Sequence, residues 1–191
     1  PINDFMNVEG MIAAGNPCVG AMNITLEDPS RAGALYVGTA NGGVWKSVNS
    51  GASWVPLTDR LSSLSIGAMT FDRTDPSRLY IGFGKQSNYG ESGGPLNSLK
   101  LSTDGGTSWT SPDRGNVLRG RDVTRILADG ATILVGIKNP GKGETGLYRT
   151  TDGGGNFAAV GTNSGLAAGI VDDLKYDPGY NGTTNRSLYA A

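Results

Sequence analysis

Three eight-residue stretches repeat one pattern along this chain: Ser47 to Trp54 reads SVNSGASW, Ser102 to Trp109 reads STDGGTSW and Thr150 to Phe157 reads TTDGGGNF. A motif that recurs within one chain points to architecture before chemistry. Glycines tolerate the positive φ of a tight hairpin, and an Asp or Asn side chain can accept bonds from its own turn. The ring that follows can pin the corner against a neighbouring layer. Asn49 stands where Asp104 and Asp152 stand, and an amide does not substitute for a catalytic acid. Asn49, Trp54, Asp104, Trp109, Asp152 and Phe157 are therefore expected to be structural.

The corners sit inside a longer unit. GAMNITLEDPSRAGALYVGTANGGVWKSVNSGASWVPL starts at Gly20, GAMTFDRTDPSRLYIGFG at Gly67, VTRILADGATILVGI at Val123 and VDDLKYDPGYNGTTNRSLYAA at Val171. Gly38, Gly82 and Gly136 close the second strand of successive units, 44 and 54 residues apart, in the range of propeller blades. Each unit reads as four short strands: an alternating strand ending near Asp-Pro, a brief apolar strand such as Leu79-Tyr-Ile81, a third such as Leu99-Lys-Leu101, and a fourth from the aromatic residue. The expected fold is all-β, a propeller of four-stranded antiparallel blades with about three and a half blades present. The divisions are an N-terminal segment at 1-18, blades at 19-60, 61-111 and 112-162, and a partial blade at 163-191. The wedge left by an incomplete ring is expected to be filled by further sequence or by another chain.

Composition narrows the chemistry. Gly accounts for 31 of 191 residues, 17% of residues are charged and the net charge is −1, so neither nucleic acid nor a membrane surface is indicated. No histidine is present and Cys18 stands alone. Ser-His and Cys-His catalysis, His-bearing metal sites and an internal disulfide are excluded, and no cofactor is expected.

STDGGTSW resembles the Asp-box (BNR repeat), S-x-D-x-G-x-x-W, of sialidases, xyloglucan-hydrolysing glycosidases, sortilin-type receptors and a photosystem II assembly factor. The run D-P-x-x-x-x-LYVGT-x-x-GGVWKS is similar to the xyloglucanase type especially. The resemblance implies a β-propeller whose corners face away from the ligand, in a secreted or cell-surface setting rather than a cytoplasmic one. In xyloglucanases the segment matching Thr39-Ala-Asn-Gly-Gly43 carries the catalytic base right after the Thr, where this chain has Ala40. The Arg-Ile-Pro motif of sialidases is also missing. The resemblance thus implies a non-catalytic module that binds a glycan or protein, with glycoside hydrolysis and docking of a protein partner as alternatives.

Loops on the face opposite the corners are the place for a site, because function commonly resides on loops carried by a rigid scaffold. Tyr89 and Glu91 lie in the long insertion after Lys85, where the ring could stack on a sugar. Arg114, Arg119 and Arg121 cluster in sequence with Asp113 and Asp122, as an Arg-carboxylate network or an anion site. Lys142 lies in Gly141-Lys-Gly-Glu-Thr-Gly146, which matches a dinucleotide fingerprint but leads into a strand rather than a helix. Were the chain a hydrolase, Glu91, Asp113 or Glu144 would have to supply the acids.

Overall fold

The computed structural model describes residues 21–85, 93–185 and 187–191. Within them the first sheet holds β1 (Met22–Glu27), β2 (Leu35–Thr39), β3 (Val44–Ser47) and β4 (Val55–Pro56). The second holds β5 (Ile66–Phe71), β6 (Leu79–Phe83) and β7 (Leu99–Ser102), and the third β8 (Val123–Asp129), β9 (Thr132–Ile137), β10 (Leu147–Thr150) and β11 (Ala158–Ala159). A last pair joins β12 (Leu174–Tyr176) to β13 (Leu188–Ala190). Apart from a 3-10 turn at Thr162–Ser164 the ordered elements are strands, and all pair antiparallel in chain order. The fourth strand expected after Trp109 shrinks to one bridge between Leu101 and Thr110. Pro112, two positions on, has no N–H with which to extend it.

The first strands β1, β5, β8 and β12 neighbour one another in turn. The sheets therefore fan out from a common line, as the blades of a partial propeller. Apolar seams hold them. Tyr36 and Val44 of the first sheet meet Ile66, Leu79, Ile81 and Phe83 of the second. Ala68, Tyr80 and Leu99 meet Val123, Ile126, Ile133 and Val135, and Leu134 and Leu147 meet Val171 and Leu174. Each buried Val, Leu, Ile or Phe among them contributes about 1.5–3 kcal/mol on burial, against about 1 kcal/mol net for a hydrogen bond. The seams, more than the ladders, decide the arrangement.

One joint recurs at every seam. A β-carbon added to Gly38 would lie 2.8 Å from Ile66 Cγ2, one on Gly82 2.4 Å from Val123 Cγ1, and one on Gly136 3.1 Å from Val171 Cγ1. The glycine closing the second strand is thus a socket for a branched residue of the next sheet. Beside each knob the register of the first strand slips, between Met22 and Ile24, Ile66 and Ala68, and Val123 and Arg125. The slipped residues reach the same partners: Asn23 Nδ2 donates to the Ile66 carbonyl at 2.8 Å, and Thr124 Oγ1 donates to that of Val171. At the middle seam Gly67 has no side chain, and a β-carbon there would be 2.1 Å from the Val123 carbonyl oxygen.

Candidate functional site on the loop face

Strand direction sorts the connections onto two faces. On one, Ser50 N–H donates to Gly33 O at 2.8 Å and Gly153 N–H to Ala131 O at 2.9 Å, which sets the third-to-fourth strand corners beside the first-to-second strand turns. Each corner is closed from within. Asn49 Oδ1 accepts from Ser53 N–H at 2.9 Å, Asp104 Oδ1 from Ser108 N–H at 2.9 Å and Asp152 Oδ1 from Asn156 N–H at 3.0 Å. The hydroxyls of Ser47, Ser102 and Thr150 bond to those same acceptors and receive the N–H groups of Gly51, Gly106 and Gly154. Bonds from Ser108 and Ser102 hold the Asp104 carboxyl down at about 2, and those from Thr150 and Asn156 depress Asp152 as well. Among the described residues, no group of three or more His, Cys, Asp or Glu is placed to hold a metal ion.

The rings behave differently from one another. Trp109 Nε1 donates to Leu57 O at 3.2 Å across the first seam, and Phe157 is buried in the second. Trp54 is 37% exposed, because no sheet precedes it among the described residues. Beside Trp109 a cleft of about 520 Å3 opens at the rim, with Leu57, Asp59, Arg60 and Thr107 in its wall. Sequence reading missed it, since no motif marks the gap between two sheets.

On the opposite face each loop between second and third strands is tied to a crossing between sheets: Gly43 N–H to Leu64 O at 2.9 Å, Gly120 N–H to Leu96 O at 2.8 Å and Gly169 N–H to Glu144 O at 3.1 Å. Asp113, 3% exposed, accepts from Ser98 Oγ at 2.7 Å, Val117 N–H at 3.0 Å and Leu118 N–H at 2.9 Å. Asp122 Oδ1 accepts from Lys85 N–H at 2.9 Å. Glu144 Oε2 accepts from Tyr148 Oη at 2.6 Å and Gly141 N–H at 2.8 Å, with Arg121 Nη2 at 3.2 Å. The Tyr148 and Gly141 bonds lower the Glu144 carboxyl. Burial, then the bond to Glu144, pushes the Tyr148 phenol up to about 12.

The arginines adjacent in sequence are spread apart in space. Arg121 turns to Glu144, with its guanidinium carbon 5.5 Å from the centre of the Tyr148 ring. Arg114 is exposed beside the third corner, where its N–H donates to Gly154 O at 3.3 Å. Arg119 is exposed opposite Asn97. Lys142 is exposed in the loop that Glu144 folds back on itself. Ala40 is buried at the end of β2. Asp173 binds Arg125 at 2.7 Å and Lys175 at 3.2 Å, while its neighbour Asp172 is exposed. Tyr89, Glu91 and Cys18 lie outside the described residues. No helix among the described residues is long and apolar enough to cross a membrane.

No protein-family model matches the chain. It is 27% identical to a xyloglucanase of Hypocrea jecorina over 165 residues, which is 80% of this chain but 19% of that protein. Among solved structures, an ancestral GH74 enzyme superposes with a TM-score of 0.65 at 18% identity, over 90% of this chain and 22% of the other. The GH74 enzyme of Niastella koreensis gives 0.61 at 20% identity, over 90% and 24%. YCF48 in a peptide-bound structure gives 0.56 at 20% identity, over 83% and 46%. The fold is thus shared with GH74 enzymes and with YCF48, and the chain spans about a fifth of the length of the curated relative it matches.

Proposed function

We propose that this chain is a non-catalytic Asp-box propeller segment, a binding or scaffold module that takes a glycan on its loop face in a secreted or cell-surface setting. Further blades come from additional sequence or another chain. One observation carries the reading: Asp113, Asp122 and Glu144 each anchor a loop through their carboxylate oxygens. Hydrolysis of a glycosidic bond typically needs two carboxyl groups that flank the substrate, and Ala40 occupies the position of the xyloglucanase base. Similarity to a xyloglucanase supports a polysaccharide as the ligand class. Titration with xyloglucan oligosaccharides by calorimetry, paired with a reducing-sugar assay, tests it. Saturable binding without new reducing ends is expected. Hydrolysis that vanishes in Asp113→Asn or Glu144→Gln would establish the glycoside hydrolase reading instead.

A second reading, docking of a protein partner as in an assembly factor, draws on the exposed Arg114 and Arg119 and on the likeness to YCF48 in its peptide-bound form. It requires a co-purifying protein that is lost when both arginines become Glu, with glycan titrations flat.

A further inference from the structure

The first two seams close differently at the rim. At the second, Arg114 N–H donates to Gly154 O at 3.3 Å and Phe157 is 6% exposed. At the first, a β-carbon on Gly106 would lie 2.4 Å from Leu57 Cδ1, and past this contact the cleft of about 520 Å3 opens beside Trp109. Sites for small molecules commonly measure about 300–1,000 Å3.

The walls of this cleft are held in place by their own bonds. Trp109 Nε1 donates to Leu57 O at 3.2 Å, which fixes the plane of the half-buried indole. Thr58, 1% exposed, accepts from Val44 N–H through its hydroxyl and from Leu61 N–H through its carbonyl, both at 2.8 Å. Asp59 and Arg60 therefore stand exposed at the tip of an anchored turn. Their surroundings are mixed in chemistry. Leu57, Leu61 and Trp109 supply apolar surface. Arg60 takes part in no ion pair among the described residues. The Asp59 carboxylate has about four acceptor sites, so one can serve a ligand beside a bond of its own. Thr107 Oγ1 donates to Asp104 O at 3.1 Å, which leaves its lone pairs for another donor.

We propose that this rim cleft binds a pyranose unit of a neutral glycan. A pyranose offers a C–H face to the indole and the leucines, and a border of hydroxyls that both donate and accept. Arg60 meets the accepting oxygens, and Asp59 with Thr107 meets the donating ones, through charge-assisted bonds at the two charged groups. Opposite charges side by side leave this wall without net charge. An acidic sugar would set its carboxylate against Asp59, and a wholly apolar ligand would strip water from Arg60 without replacing its bonds. The cleft shares no residue with the loops that Asp113, Asp122 and Glu144 anchor, so this inference stands or falls apart from any ligand on the loop face.

The test follows amide and indole N–H signals of the full chain by NMR during separate titrations with cellotetraose, maltotetraose and mannotetraose, and with tetragalacturonate as the acidic counterpart. Saturable shifts of the Trp109 indole N–H and of the Asp59, Arg60 and Leu61 amides are expected with a neutral tetrasaccharide and not with tetragalacturonate. Arg60→Ala should weaken that binding about tenfold, and Trp109→Ala should abolish it. Should Trp109→Ala unfold the chain, Arg60→Ala at its exposed position decides alone. Silence of the Trp109 signal with all three neutral sugars, equal or stronger binding of tetragalacturonate, or an affinity unmoved by Arg60→Ala overturns the proposal. Shifts confined to the loops around Arg121 and Glu144 overturn it while supporting a ligand on the loop face; shifts confined to the Trp109 cleft support it and count against that ligand.

Discussion

Asn49 and Asp104 close equivalent corners with one bond reversed. Asn49 Nδ2 donates to Ser53 Oγ at 2.9 Å, whereas Asp104 Oδ2 accepts from Ser108 Oγ at 2.6 Å. A serine hydroxyl serves in either sense, so an amide or an ionised carboxylate can close the corner through its acceptor at Oδ1.

Asp104→Asn is accordingly expected to melt within a degree or two of the parent at neutral pH. Asp104→Ala, which removes the acceptor for Ser108 and Ser102, lowers the midpoint clearly. Parallel thermal unfolding of the three proteins checks the order; equal losses in both variants would show that charge matters after all.

The same pair fixes an acid dependence. The Asp104 carboxyl lies at about 2, below the ordinary 3.8. A group depressed on folding contributes stability above its unfolded value and loses it as pH falls through the folded one. Between about pH 4 and pH 2 the parent should therefore lose stability more steeply than Asp104→Asn. Denaturant midpoints across that window decide the point, and parallel curves would refute it.

Gly82→Ala places a methyl against Val123 and is expected to cost about 1–3 kcal/mol by overpacking. Val123→Ala alone opens a cavity at a cost of about 2 kcal/mol. Combined, the two should be less harmful than their sum by about 1 kcal/mol or more. A double-mutant cycle in urea measures this, and strict additivity would remove the socket from the account of the seam.

Asp113→Ala strands the Ser98 hydroxyl, the buried Leu118 amide and the half-buried Val117 amide, for a loss on the order of 3 kcal/mol. Asp113→Asn, keeping one acceptor oxygen, should lose less. If both variants are as stable as the parent, Asp113 is not a structural anchor and its place in the functional argument falls.

Tyr148 gives a separate readout. Its phenol is held near 12 by burial and then by Glu144. Glu144→Gln should bring it part of the way back towards 10, since burial remains. Ultraviolet titration follows it, and an unchanged curve would break the link.

The repeat made much of this legible in the sequence. Three corners in register, alternating first strands and short apolar second strands sufficed for the sheets and their order. Gly38, Gly82 and Gly136 were visible as periodic residues, but their role as sockets was not, because the knobs Ile66, Val123 and Val171 sit at varying distances along the chain. The loop face was harder for the same reason. Arg121 finds Glu144 only once two loops have been folded together, whereas sequence offered its neighbours Asp113 and Asp122. The anchoring by Asp113 did leave a local sign: Pro-Asp-Arg-Gly-Asn is a turn sequence, and an acid there caps the backbone that follows.

The sockets also give the row of sheets a direction. At each of the three described seams the earlier sheet presents bare backbone and the unit that follows a branched side chain, so one kind of joint serves all three. Such a coupling is indifferent to how many members the train has. Duplication or loss of a whole unit would then alter the circumference of the assembly while leaving each remaining junction as it was.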